Sequence, residues 1–187
     1  YISTLFTYTW KETIKTINFY KESLFYDSKK IYVGGILANL LPEDLFNATG
    51  ILPVEGLLDD PKKLNQDDNI IIDELIPDYE ILKQVENDNF KYAHTDAYLG
   101  YSTRGCVRTC EFCAVYKFEP FKPYIKIFDK IKDISNMYGE KKNLLLMDNN
   151  VLASKHFEKI IDDIKGAGFY KGATFGKTKK RRIVDFN

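Results

Sequence analysis

AYLGYSTRGCVRTCEFCAVYKF, residues 97–118, decides how this chain is read. AYLGYST reads as a strand that feeds a loop. The loop holds every cysteine of the chain: Cys106, Cys110 and Cys113. A disulfide framework fits poorly, because three is an odd number and the rest of the 187 residues carries no partner thiol. Structural zinc wants a fourth thiolate or imidazole. The two histidines, His94 and His156, are both remote in sequence, although His94 could fold back. Three unliganded thiols are the plainest alternative, but clustered cysteines without an apolar period make a poor core. An iron–sulfur cluster suits the spacing best. Thiolates hold such clusters, and three of them leave one iron of a [4Fe–4S] cube open.

Downstream, the apolar periodicity predicts a helix over 123–138, with Ile127, Ile131, Ile134 and Met137 on one side. NLLLMDNN, 143–150, reads as a fully apolar strand ending in acid and amide groups. A second helix over 153–167 turns Phe157, Ile160, Ile161 and Ile164 inward and stops at Gly166 and Gly168. RRIVDFN, 181–187, is a third strand, whose Asp185 and Asn187 are candidates for the same mouth. Strands starting about forty residues apart, each followed by a helix, describe a β/α barrel or an open α/β sheet. A complete barrel takes about 250 residues, so 97–187 is expected to be the amino-terminal part of one.

Upstream, 1–57 has β-α-β-α-β order. ISTLFTYT is a strand entering a loop. A helix over 10–23 carries Trp10, Ile14, Ile17, Tyr20 and Leu24 near helical spacing. KKIYVGG is a short buried strand ending in Gly34 and Gly35. LPEDLFNATG is a helix opening at Pro42 and stopping at Gly50, and ILPVEG is another strand. The glycine pair either lets a ligand approach the backbone or forms a tight turn. No GxGxxG run is present, so the dinucleotide fingerprint is missing. Residues 58–96 are acid-rich and read as a linker with one short helix near 79–84.

Composition sets wide bounds. Apolar residues make up 44% of the chain and aromatic residues 14%, enough for real cores. Formal net charge is zero, so no global charge points to nucleic acid or an acidic membrane face. No stretch reads as a transmembrane helix or a signal peptide. The chain starts at Tyr1 and ends on an apolar run, and a fragment is expected.

CVRTCEFC, with Phe112 before the last cysteine and Gly105 and Ala114 flanking the run, resembles the radical S-adenosylmethionine superfamily. Residues 1–57 and the linker resemble the cobalamin-binding domain that some members carry. The resemblance implies an α/β chain: a partial Rossmann-like cobalamin-binding-type domain (1–57), a linker (58–96), and the first strands and helices of a radical S-adenosylmethionine β/α barrel (97–187). It implies that Cys106, Cys110 and Cys113 ligate a [4Fe–4S] cluster and that Phe112 lies near the adenine of S-adenosylmethionine. Asp148 and Asn149 would bind the amino group of that cofactor, with an N-cap as Asp148's simpler role. Arg104 and Arg108 would make the loop electropositive. Gly34 and Gly35 would lie beside a corrin. The family's cobalt-ligand motif, DxHxxG, is absent, and His94 in KYAHTD does not match it.

The function expected on this resemblance is reductive cleavage of S-adenosylmethionine, starting radical chemistry such as methyl transfer or cyclisation on an unknown small or macromolecular substrate. An electron donor such as flavodoxin or ferredoxin would serve it, in the cytoplasm and without membrane insertion. One alternative is an RNA or protein methylthiotransferase. Another is a zinc- or cluster-stabilised nucleic-acid-binding module using KTKKRR, 177–182, as a basic patch, although such a run more often marks a solvated turn.

Overall fold

The computed structural model describes residues 1–23, 30–64, 69–85, 90, 92 and 94–186. They form two compact units, Tyr1–Leu75 and Ile76–Asn187, and the division falls inside the acid-rich stretch 58–96. Leu24 and Asn187 lie outside the described residues.

In the first unit, β1 (Ile2–Thr4) leads through a short 3-10 turn, Thr7–Thr9, into α1 (Trp10–Ser23). Next come β2 (Val33–Gly35), α2 (Ile36–Leu40) and α3 (Pro42–Thr49). β1 and β2 pair in parallel, Ile2 opposite Val33 and Thr4 opposite Gly35. The core is Ile17, Ile31, Val33, Leu37, Leu45 and Ile51, and Tyr20 faces solvent. Pro42 opens α3, where a missing N–H costs nothing, and Gly50 closes it in the left-handed region at φ 69°. The strand expected at ILPVEG does not form. Val54 donates one bond to the Val33 carbonyl at 2.7 Å, but Pro53 has no N–H to extend a ladder.

The second unit opens with α4 (Tyr79–Val85), then β3 (Ala97–Gly100), α5 (Val115–Phe118), α6 (Ile127–Tyr138), β4 (Asn143–Leu146) and α7 (Phe157–Gly166). A hairpin of β5 (Thr174–Phe175) and β6 (Lys180–Arg181) precedes β7 (Val184–Phe186). β3, β4 and β7 form one parallel sheet in that order. β4 is central: Leu144 lies opposite Tyr98 on one side and Val184 on the other. Its leucines are buried, as expected for a strand covered on both faces. Ile127, Ile131 and Ile134 of α6 and Ile160 and Ile164 of α7 pack on Tyr98, Leu144, Leu146 and Phe169. Met137, expected inward, is exposed. Both helices start later than their periodicity suggests. Pro123 lies in a bend on the approach to α6, and a 3-10 turn, Val151–Ala153, precedes α7.

The expected fold class is therefore corrected. The chain is α/β with small open sheets: two parallel strands in the first unit, and three parallel strands plus an antiparallel hairpin in the second. It is neither a Rossmann-like cobalamin domain nor a radical S-adenosylmethionine β/α barrel. Closing a barrel takes about eight strands. Among the described residues, neither β3 nor β7 pairs with a further strand on its outer side.

Leu146 is fully buried in the central strand. Leu146→Ala is expected to cost about 2–5 kcal/mol, read as a lower urea midpoint with an unchanged m-value.

Candidate functional site at the carboxyl edge of the parallel sheet

β4 continues past its last ladder residue, with Met147 N–H donating to the Gly100 carbonyl at 2.9 Å. This places Asp148 at the carboxyl edge, only 5% exposed. Its carboxylate accepts from Ser102 N–H at 3.2 Å, Ser102 Oγ at 3.0 Å, Thr103 Oγ1 at 2.5 Å and, closely, Thr103 N–H. Three of these bonds converge on Oδ1 and one reaches Oδ2, so the Ser102–Thr103 corner holds both oxygens of Asp148. That corner is where the chain leaves β3 for the cysteine loop.

The next residue is held on both sides. Arg104 and Lys122 form an antiparallel bridge, N–H to O at 3.1 Å and 2.9 Å in the two directions. Ser102 O accepts from Ile125 N–H at 2.7 Å. The Arg104 guanidinium lies 4.2 Å above the Tyr101 ring and pairs with Glu119, both side chains being largely buried. The second Glu119 oxygen accepts from Asn149 Nδ2 at 3.1 Å. Gly105 adopts φ +67°, and a Cβ there would stand 2.4 Å from the Glu119 carbonyl. Only glycine allows the loop to pass that close.

Beyond this anchor lie the thiols, all free and half-buried. Cys106 Sγ accepts from Arg108 N–H and from Asn150 Nδ2, each at 3.4 Å. The Arg108 N–H contributes most to holding this thiol below the ordinary cysteine range, Asn150 adds to it, burial opposes, and the Arg108 charge helps. Cys110 and Cys113 close a turn through Cys113 N–H to Cys110 O at 3.0 Å. Phe112, inside that turn, is 95% exposed.

The loop does not gather its thiols into a metal site. Among the described residues, no group of three or more His, Cys, Asp or Glu side chains is placed to hold a metal ion. Cys106 is turned toward Asn150, while Cys110 and Cys113 sit at the two ends of their own turn. This overturns the [4Fe–4S] cluster ligated by Cys106, Cys110 and Cys113, and with it S-adenosylmethionine as the cofactor.

The other expected residues are scattered. Asn149 donates to one Glu119 oxygen, and Arg104 pairs with the other. Asp185 is exposed on β7. His94 closes a turn before β3, accepting from Ala97 N–H at 3.1 Å, and His156 packs against Tyr124 at 5.7 Å. In the first unit, Gly34 and Gly35 line a cavity of about 210 Å³ with Ile2, Tyr32, Val54 and Leu58. Thr4 Oγ1 donates to Gly34 O at 2.8 Å, and a Cβ on Gly35 would stand 2.3 Å from Thr4 O. The close approach of β1 accounts for that glycine. Four residues central to the site carried no functional reading in the sequence: Ser102, Thr103, Glu119 and Asn150. Their partners lie between 15 and 46 positions away.

No protein-family model, no curated protein and no solved structure matches this chain. Membership of the radical S-adenosylmethionine superfamily, and of its cobalamin-domain type, is therefore corrected. The activity inferred from it falls with the open sheet and the missing ligand group. The methylthiotransferase and the metal-stabilised nucleic-acid module fall with that ligand group too.

Removing Asp148 leaves buried donors without acceptors. Asp148→Ala is expected to destabilise the chain by roughly 3 kcal/mol or more, measured by urea unfolding, with Asp148→Asn retaining part of the loss. Asn150→Ala withdraws one donor from Cys106. The alkylation-rate profile of that thiol then moves to higher pH, because less N–H donation stabilises the thiolate; an unmoved profile would show that Asn150 does not act on it.

Proposed function

We propose that the carboxyl edge of this sheet carries a thiol–disulfide exchange site. The observation that carries the reading is the pairing of two features in one anchored loop. Cys106 holds two N–H donors on its sulfur, and beside it Cys110 and Cys113 form a C-x-x-C turn. A hydrogen-bonded turn keeps its end Cα atoms within about 7 Å, overlapping the roughly 4.4–6.8 Å that a disulfide spans. A C-x-x-C run close to parallel β/α structure is a known redox arrangement.

The chemistry balances without a further cofactor. The Cys106 thiolate attacks one sulfur of a substrate disulfide, forming a mixed disulfide and releasing one thiolate, which takes up a proton. A thiolate of the C-x-x-C pair then attacks the Cys106 sulfur and releases the second substrate thiol. Exchange with the remaining cysteine leaves Cys110 and Cys113 joined. Two electrons pass to the substrate and the loop is oxidised by two. The matching electron donor is a two-electron dithiol, whereas flavodoxin and ferredoxin suit one-electron chemistry. The dithiol form fits a reducing compartment such as the cytoplasm. Among the described residues, no helix is long and apolar enough to cross a membrane.

Equilibration with glutathione buffers of graded potential, followed by alkylation and mass analysis, tests this. A single disulfide between Cys110 and Cys113 is expected, formed reversibly. Cys106→Ser is expected to slow exchange with a model disulfide by roughly tenfold or more at neutral pH, and Cys110→Ser with Cys113→Ser to halt the cycle at the mixed disulfide. Three thiols that stay reduced across all buffers and alkylate like free cysteine would end the proposal.

A further inference from the structure

The amino-terminal edge of the parallel sheet, opposite the cysteine loop, carries a concentration of positive charge that the thiol chemistry does not use. α7 returns to β7 through β5 and β6, so this hairpin projects where β7 begins. Residues 171–182 contain Lys171, Lys177, Lys179, Lys180, Arg181 and Arg182 and no acidic residue. The chain as a whole has a formal net charge of zero. Two more cations, Lys141 and Lys142, immediately precede β4 at the same edge.

The hairpin is anchored rather than loose. Arg182 N–H donates to Ala173 O at 3.0 Å. Its guanidinium pairs with Glu140 and lies 4.8 Å over Phe169 and 5.4 Å over Phe175. Arg182 is therefore committed to the fold. The turn is closed by Lys179 N–H to Gly176 O at 3.1 Å, with Lys179 in the left-handed region. Lys171, Lys177, Lys179, Lys180 and Arg181 all stand exposed on this base. The local acids are engaged: Glu140 with Arg182, and Asp96 with the Lys142 N–H at 3.2 Å.

Apolar side chains share the edge. Tyr170, next to Lys171, is 62% exposed, and Ile183, next to Arg182, is 53% exposed. A phosphate backbone makes use of the cations and of a stacking tyrosine, but has no use for an exposed isoleucine. A lipid interface uses all three: anionic headgroups attract the cations, while an aromatic ring and an aliphatic side chain settle at the boundary.

We propose that this edge, β5–β6 with Tyr170 and Ile183, adsorbs peripherally to an anionic lipid surface. The attraction is short-ranged, decaying over about 8 Å at physiological ionic strength. The hairpin tip therefore has to meet the headgroups directly. No membrane-spanning segment is required. The adsorbed chain turns the cysteine loop, on the opposite edge of the same sheet, away from the bilayer.

Vesicle co-sedimentation of the whole chain tests the proposal. Phosphatidylcholine vesicles containing phosphatidylserine are expected to carry the chain down, pure phosphatidylcholine vesicles to leave it in solution, and added salt to release it. Lys177→Gln with Lys180→Gln is expected to lower partitioning by roughly tenfold, and Tyr170→Ser with Ile183→Ser to lower it several-fold. Circular dichroism checks that each variant is folded. Should the serine pair unfold the chain, the glutamine pair decides alone, because Lys177 and Lys180 are both exposed. Equal binding to neutral vesicles, or undiminished binding of the folded glutamine variant, overturns the proposal. So does displacement of the chain from vesicles by a single-stranded oligonucleotide that binds it more tightly, which would assign the edge to nucleic acid instead.

Discussion

The second unit depends on one buried carboxylate. Asp148 leaves the central strand and takes four hydrogen bonds from Ser102 and Thr103, both fully buried. A buried charge is tolerated only when hydrogen-bonded or paired, and here all four donors come from two adjacent residues. The bond set ties the end of β4 to the exit of β3 across more than forty residues of sequence. It acts together with the Arg104–Lys122 bridge to fix the direction in which the chain leaves the β3–β4 ladder.

That direction governs what the cysteines can do. The loop is rooted at Ser102–Thr103 by Asp148 and at Arg104 by the bridge to Lys122 and the pair with Glu119. Gly105 then passes against the backbone at Glu119, a route closed to any other residue. Cys106 emerges beside Asn150, two residues beyond Asp148 on the same strand extension, and the amide reaches its sulfur. N–H donors on a sulfur favour its thiolate form. A metal would require three sulfurs facing one point, and the turn that spans Cys110 to Cys113 does not supply that. The same anchor sets Cys106 against Asn150 and leaves Cys110 and Cys113 to their own turn.

Elements governed by local chemistry were legible in the sequence. Pro42 and Gly50 mark the ends of α3, and the Ile127, Ile131 and Ile134 period marks the buried face of α6. The apolar run of β4 and the strand before the cysteines were legible for the same reason. Failures came where one residue overrides a pattern. Pro53 stops a strand that Ile51 and Val54 favour, and Gly176 with Lys179 folds a basic run into a hairpin. The candidate site was legible in its thiols and in the position of Asp148, but not in Glu119 or in the contact of Asn150 with Cys106. Cysteine spacing records how close residues lie along the chain, but not where their sulfurs point. The direction is set by Asp148, Glu119 and Asn150, and each acts on a partner too distant for spacing to reveal. A CxxxCxxC motif is thus compatible with more than one three-dimensional arrangement, and the residues around it select among them.

The charge distribution obeys the same logic. A net charge of zero suggests a featureless surface, yet the sum conceals separation along the strand axis. At the carboxyl edge two buried acids are consumed internally: Asp148 by the corner, and Glu119 by Arg104 and Asn149. At the amino edge Arg182 is engaged by Glu140 and two aromatic rings and holds the hairpin in place, and Lys141 lies over the Tyr79 ring. Lys171, Lys177, Lys179, Lys180 and Arg181 are left to solvent. Parallel strands make this segregation possible, because every strand begins at one edge and ends at the other. Connections entering the strands can then carry one chemistry and connections leaving them another, with the leucines of β4 between the two.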